Sequence, residues 1–340
     1  MARLEFGCLP TAIGSMPHTD VSEACRLVAK YLPQLPAWPQ LPKRSPKENM
    51  YLQFSEGFPG LMIEGDKPRV KRTTDFDTEL ERLLTTAEDE IDAYHISADC
   101  AAGLHALPTF LSHPETMKGQ ITGPVSFGLC ITDINGRGIV YDETLAEAAA
   151  RLLRLKAKWQ ENFLRRITRT TIIFVDEPYL TSLGTAFVAL SNERVARLLE
   201  EVLGGLSGVK GIHCCGSTDW SLLLSAPIDV LSFDAYNYAD SLACYPANVK
   251  AFLEKGGNIA WGIVPNDEDA LADESLSSLY DRFGEVIAPF TRDGISFRQI
   301  TAQSLLTPSC GLASLSTDAA VQALELLKGL SDKIRSRLSP

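Results

Sequence analysis

Three neighbouring stretches decide the fold: TIIFVDEP (171–178), SNERVARLLEEV (191–202) and GVKGIHCCG (208–216). TIIFV is a nearly unbroken apolar and β-branched run, which is how a strand buried on both faces reads. Residues 192–202 carry their apolar side chains at helical spacing with charges between them, the pattern of an amphipathic helix. The short run at 208–214 is apolar again and predicts a second strand. Strand, helix, strand in this order predicts parallel pairing of the two strands.

Outward from this unit the same alternation continues in both directions. Strands are predicted at 11–13, 61–64, 118–122, 172–176, 208–214, 230–234, 259–264 and 303–307. Helical patterns cover 144–169, 192–202, 240–255, 267–287 and 317–337. About eight such units imply an α/β fold closed into a (β/α)8 TIM barrel, with an open doubly wound sheet as the competing architecture. A prior of roughly 150 residues per domain would divide 340 residues into two, but such barrels commonly run as one unit of about 250 or more. No solenoid repeat and no linker divides the chain, so a single domain over 1–340 is expected. The proline-rich stretch LPAWPQLPKRSP (35–46) is expected to be a long loop over one face.

Composition sets the outer bounds. The chain is 45% hydrophobic and 22% charged, with a formal net charge of -11, which suits solubility and makes it a poor general binder of nucleic-acid backbone. The one local basic run, KPRVKR (67–72), reads as a solvated loop. The N-terminus MARLEFGCLPTAIGS lacks the apolar run of a signal peptide, and no segment approaches the roughly 18 apolar residues of a membrane span. The eight cysteines are scattered, which suggests reduced thiols and a cytoplasmic setting.

Polar residues gather at one end of the predicted strands: Gly14-Ser15, Thr122-Gly123-Pro124, Asp176-Glu177-Pro178, His213 to Gly216, Asp234, Pro265-Asn266 and Ser309-Cys310-Gly311. In a parallel barrel these ends converge on one mouth, where active sites are built. His213 and Cys215 are separated by one residue, so in an extended strand they share a face, while Cys214 points the other way into the barrel wall. Cys310 follows the last strand and reaches the same rim. His, Cys and Cys are good zinc ligands, and three protein ligands leave a fourth position for an exchangeable group. Thiolate ligands make zinc less acidic toward water and suit it to binding a substrate thiol as a nucleophile. The competing reading is two buried apolar cysteines and a satisfied core histidine. His18, His95, His105 and His113 are isolated and read as surface or packing residues. Cys8, Cys25, Cys100, Cys130 and Cys244 read as unligated, and Trp261 as either lining the mouth or packing.

On these residues the chain resembles the carboxyl-terminal catalytic barrel of cobalamin-independent methionine synthase. The H-x-C pair matches His213 and Cys215, the P-x-C-G-L context matches Cys310, and the acidic residue after the intervening strand matches Asp234 in DVLSFDAY. The resemblance implies a zinc ion held by His213, Cys215, Cys310 and Asp234, with Asp standing where the family has Glu. AIGSMP (12–17) is similar to the family's T-I-G-S-F-P opening, and implies that Ile13 and Ser15 bind an amino-acid carboxylate. KGQITGPVSF (118–127) is similar to its K-G-x-x-T-G-P-V-T segment. VDEP (175–178) is similar to its I-D-E-P and implies that Asp176 binds the homocysteine ammonium. The family's further amino-binding Glu falls in NMYLQFSEG (49–57), where this chain has Leu52 or Gln53, followed by Glu56. The family's amino-terminal barrel, which helps bind polyglutamylated methylfolate, has no counterpart here. The resemblance therefore implies a short thiol S-methyltransferase acting on homocysteine, with a methylfolate or a methyl-corrinoid, free or on a corrinoid protein, as donor. The wider superfamily offers a methylcobalamin:coenzyme M type enzyme as an alternative, and a non-catalytic zinc-binding barrel is a third.

Overall fold

The computed structural model describes residues 4–65, 67–87 and 90–338. Its strands in chain order are β1 (Leu9–Pro10), β2 (Leu61–Glu64), β3 (Lys67–Val70), β4 (Thr116–Thr122), β5 (Thr132–Asp133), β6 (Thr170–Asp176), β7 (Val209–Cys214), β8 (Val230–Phe233), β9 (Asn258–Val264) and β10 (Ser304–Pro308). Seven of them form one curled sheet in the order β1-β10-β9-β8-β7-β6-β4, every pair parallel. The α/β class and the parallel sheet agree with the sequence; a ladder of eight regular strands is not formed among the described residues.

The difference lies in the first third of the chain. Residues 61–64, expected as a sheet strand, instead pair antiparallel with β3, and β3 pairs with β5, in a separate three-stranded sheet. A short apolar run states a preference for strand but not the identity of its partner, and here Met62 and Ile63 stay exposed. The expected strand at 11–13 is found at Leu9–Pro10, and the Thr11 N–H extends the ladder by donating to the Leu306 carbonyl. The proline-rich segment, expected as a loop over one face, runs between the two edges of the sheet. Ala37 bridges Lys118 of β4, and Gln40 bridges Ser15 just after β1, both in parallel sense. Pro36 and Pro39 carry no N–H, so this segment cannot complete a ladder with either neighbour. Side chains replace the missing bonds: Trp38 Nε1 donates to Gln160 Oε1 at 2.8 Å, and Gln120 Nε2 donates to the Trp38 carbonyl at 3.0 Å.

Alternation along the strands sorts the core into two bodies. Ile172 and Phe174 of β6, Val230, Ala260 and Leu305 form a small inner cluster with Phe6 and Leu35. Their strand neighbours Ile173, Val175, Ile212, Leu231, Ile259 and Leu306 face the helices and join the large outer core. Period-two geometry therefore aims Asp176 and His213, two residues beyond inward-facing positions, into the mouth. Asn192–Gly204 and Thr317–Leu338 cover their expected segments, Glu143–Arg165 covers 144–169 except its last four residues, and the 267–287 pattern is broken into Glu268–Ala272 and Leu276–Arg292. The 240–255 pattern is split into Ala235–Ala243 and Pro246–Glu254, with Pro246 opening the second helix as its first residue. No helix among the described residues is long and apolar enough to cross a membrane.

Candidate functional site

At the carboxyl end of the sheet His213, Cys215 and Cys310 each offer one ligand atom, and these atoms lie within 4.8 Å of one another. His213 ends the inner face of β7. Its Nδ1 lies 3.0 Å from the Ser232 hydroxyl, which sits opposite it in register on β8. Its Nε2 is buried and has no hydrogen-bond partner. A buried imidazole nitrogen left without a partner is costly, whereas one whose far nitrogen is oriented by a hydroxyl is arranged as a ligand. Cys214 points outward into the large core, with its Sγ 3.7 Å from the Gly216 carbonyl.

The two cysteine thiols push each other's titration in opposite directions. The Cys310 thiol and then His213 stabilise a Cys215 thiolate against the effect of burial, holding it well below the ordinary thiol range. Cys310 is driven up by the same contact and by burial. A ready thiolate, a second thiol and an unpartnered imidazole nitrogen fit the donor chemistry of zinc. Asn266 fixes the Cys310 loop: its N–H donates to Ser309 Oγ at 3.1 Å, Ser309 Oγ donates back to Asn266 Oδ1 at 2.7 Å, and its Nδ2 donates to the Gly311 carbonyl at 3.3 Å.

The fourth acidic position stands differently. Asp234 is not among the clustered ligand atoms. It caps the helix Ala235–Ala243, with Oδ1 accepting from the Asn237 N–H at 2.9 Å and Oδ2 from Asn237 Nδ2 at 2.7 Å. Both oxygens are thus engaged inside the protein, in an N-cap role.

A cavity of about 310 Å3 opens beside the trio and is lined by Ile13, Ser15, Asp176, His213, Cys215 and Cys310 among others. The structure thus brings together all the predicted site residues except Asp234. Asp176 is buried, and its Oδ1 has no partner. Burial pushes its pKa up to about 6, with Lys118 and then His213 opposing the shift. The next residue does the opposite. Glu177 turns away and takes the N–H groups of Val125 and Ser126, each at 2.8 Å, capping the helix Pro124–Cys130. Gly123 is required there, because a Cβ would collide with the Glu177 carboxylate. Ser15 is clamped from two sides: Gln40 N–H donates to the Gly14 carbonyl at 3.0 Å, and Leu312 N–H donates to the Ser15 carbonyl at 2.8 Å. Gly311 leaves room for the Ser15 hydroxyl, which a side chain at 311 would strike.

Two residues without a role in the sequence reading matter here. Lys118 is fully buried below the mouth. It donates to the Ile13 carbonyl at 2.6 Å and to Gln120 Oε1 at 3.2 Å, and lies 4.5 Å from the Phe174 ring centroid. Burial pushes its pKa down to about 8, against the pull of Asp176. Its signal was a lysine at an alternating position of a strand otherwise buried. Glu48 lines the cavity, yet its carboxylate is engaged by Leu41 N–H at 2.9 Å and Arg44 Nε at 2.7 Å. Of the positions near the family's second amino-binding Glu, Leu52 is buried, Gln53 accepts from Gln40 Nε2 at 2.6 Å, and Glu56 accepts from Ser97 Oγ at 3.0 Å. Trp261 packs in the outer core, with its Nε1 donating to Ser304 Oγ at 2.8 Å.

No family model and no curated protein matches the chain. Solved structures do. The chain is similar in fold to a B12-independent methionine synthase from Shewanella sp. W3-18-1 in complex with selenomethionine, at 15% identity and TM-score 0.58, covering 99% of each chain. It is similar to a putative vitamin-B12 independent methionine synthase from Listeria monocytogenes, at 15% identity and TM-score 0.56, over 93% of this chain and 86% of that one. A methyltransferase from Methanosarcina mazei matches at 11% identity and TM-score 0.58, over 100% of this chain and 95% of that one. These likenesses establish a shared fold along essentially the whole chain, and the methionine synthase and methyltransferase frameworks are the ones it shares.

Proposed function

We propose that this chain is a zinc-dependent thiol S-methyltransferase, with homocysteine as its acceptor. The observation that carries the reading is the unpartnered His213 Nε2 grouped with Cys215 and Cys310 on the wall of a cavity that Asp176, with its own unpartnered oxygen, also lines. His213, Cys215 and Cys310 would hold the metal. Zinc there would supply the Lewis acidity that keeps an incoming thiol in its thiolate form. With Asp234 held by Asn237, the three remaining side chains would leave a position on the metal open to the substrate thiol. A single domain over 1–340, read as a (β/α)8 barrel with segment 36–40 as its eighth stave, sets this mouth.

The protein's own groups do the rest. Asp176 receives the ammonium of an amino-acid thiol, a charge-assisted bond in a buried place. Ser15 and the backbone at Ile13 face the carboxylate. Holding both ends fixes the sulfur for in-line attack. The sulfur–carbon bond forms, the donor's bond to the methyl group breaks, and its electron pair leaves with the donor. The thiol proton passes to solvent. The unpartnered carboxylate favours an amino-acid acceptor over coenzyme M, which carries no ammonium. A methylfolate or a methyl-corrinoid is the donor, and the setting is cytoplasmic.

The test is zinc K-edge absorption with and without L-homocysteine. The expected result is a shell with two protein sulfurs that gains a third at about 2.3 Å when the thiol is added. Cys215→Ser or Cys310→Ser should lose most of the zinc while the far-UV spectrum is kept. Full metal content in either variant, or a shell indifferent to homocysteine, would overturn the reading.

A further inference from the structure

The helical side of the protein holds a cavity of about 460 Å3 that shares no lining residue with the thiol cavity. It lies between three helices, Phe76–Thr85, Glu143–Arg165 and Asn192–Gly204. Its floor is apolar. Ala146 and Ala150 of the second helix and Leu198 of the third are buried, and Leu84 of the first, 43% exposed, forms a side wall. The two alanines stand one turn apart on one face and carry no atom beyond Cβ, which keeps the floor low.

The two longer helices carry mirrored charges along this cavity. Glu143, Glu147 and Arg151 follow one another on the first, and Arg194, Arg197 and Glu201 on the second. Spacings of three and four residues keep each set on one helix face. Each helix leads into one of the parallel neighbours β6 and β7, so both run in the same direction. Glu143 and Glu147 therefore stand across from Arg194 and Arg197, and Arg151 across from Glu201. The last pair closes, with Arg151 Nη1 3.7 Å from Glu201 Oε1. The earlier ones stay open. Glu143, Glu147 and Arg197 make no ion pair and no side-chain hydrogen bond among the described residues. Arg194 is anchored by one bond, from its Nη2 to the Val140 carbonyl at 2.8 Å, and Arg151 Nε is buried with no partner.

A wall of carboxylates thus faces a wall of guanidinium groups across an apolar floor. A simple anion here would meet two carboxylates as well as the arginines, and a simple cation would meet the arginines. A dipolar molecule satisfies both walls at once. Guanidinium groups take a carboxylate by paired hydrogen bonds, and the opposite carboxylates take an ammonium. An apolar side chain on such a molecule would cover Leu84 and the alanine floor, removing their surface from water.

We propose that this cavity is a binding site for an α-amino acid with an apolar side chain, its carboxylate on Arg194 and Arg197 and its ammonium on Glu143 and Glu147. The inference goes beyond the methyl-transfer reading and stands without it.

The experiment is isothermal titration of L-methionine and of L-leucine into the full chain carrying Asp176→Asn, which removes the ammonium anchor proposed for the thiol cavity. The same titration is run on that protein with Glu147→Gln and Arg197→Gln added. Both added positions are exposed on helices, so the fold should be kept, as far-UV spectra would check. Both amino acids should bind the first protein and bind the second about tenfold or more weakly. N-acetyl-L-methionine and L-methionine methyl ester each lack one of the two charges, and should bind the first protein more weakly than L-methionine by a similar factor. No binding of either amino acid to the first protein, or equal binding to both proteins, overturns the proposal. Equal binding of the two blocked derivatives and L-methionine also overturns it, because the charged walls would then play no part.

Discussion

From Thr116 onward the chain alternates strand and helix with little interruption, and before it the chain improvises. In the later part β4, β6, β7, β8, β9 and β10 take up the sheet one after another, each helix packing outside. In the earlier part β1 is two residues long, β2 and β3 leave the main sheet, and segment 36–40 touches both sheet edges through single bridges. The later part holds its place through backbone ladders and apolar strands. The earlier part holds through side chains: Trp38, Gln40, Gln53, Gln120 and Gln160 bond one another or nearby backbone. The candidate site divides along the same line. The His213, Cys215 and Cys310 trio belongs to the regular part, whereas Ile13, Ser15, Asn49 and Tyr51 belong to the irregular part.

If side chains carry the earlier part, removing one should be costly. Trp38→Ala deletes a fully buried ring and its bond to Gln160. It should cost about 3–5 kcal/mol, the range for truncating buried aromatics, read as a loss of unfolding free energy in urea. A loss below about 1 kcal/mol would mean that the segment is only a covering loop.

Asp176→Asn tests the proposed amino-acid end of the site, where the two parts meet. Losing a charge-assisted bond to an ammonium should raise the Kd for L-homocysteine about 10- to 100-fold, with zinc content unchanged. Unchanged affinity would remove the assigned role and return coenzyme M-like thiols to consideration.

The motif glycines allow a finer cut within the regular part. Gly123→Ala would push a Cβ into the Glu177 carboxylate. The cap of Pro124–Cys130 must then give way, at about 1–3 kcal/mol, as overpacking usually costs. A neutral substitution, measured by thermal melting, would show that Glu177 can move without loss.

These comparisons explain what the sequence could and could not tell. The parallel sheet and the helices were legible because apolar periodicity follows directly from burial. The trio was legible because the H-x-C spacing fixes a shared strand face, and Cys310 follows the last strand. Segment 36–40 was not, because prolines read as loop chemistry whatever surrounds them. Residues 61–64 were not, because a four-residue apolar run carries no information on whether its partner is local or distant. Asp234 lines up with an acidic position by analogy, but its neighbour Asn237 takes both of its oxygens, and only the three-dimensional cap reveals that. Lys118 was hidden by the expectation that buried strands exclude charge.

The smallest effect belongs to His18, in the irregular part and outside the site. The sequence offered surface or packing for it, and the structure buries it with both ring nitrogens unpartnered. Burial holds its pKa below the ordinary value, with Glu23 pulling the other way. The unfolded chain therefore takes up a proton near the usual histidine range, about 6.5, while the folded one resists. The contribution of His18 to stability is complete above that range and is lost as pH falls from there through the lowered folded pKa. His18→Phe should consequently show a shallower fall in melting temperature between pH 7.5 and pH 5 than the parent protein. Parallel curves would mean that the ring finds a partner in solution, and that this corner of the irregular part is looser than its burial implies.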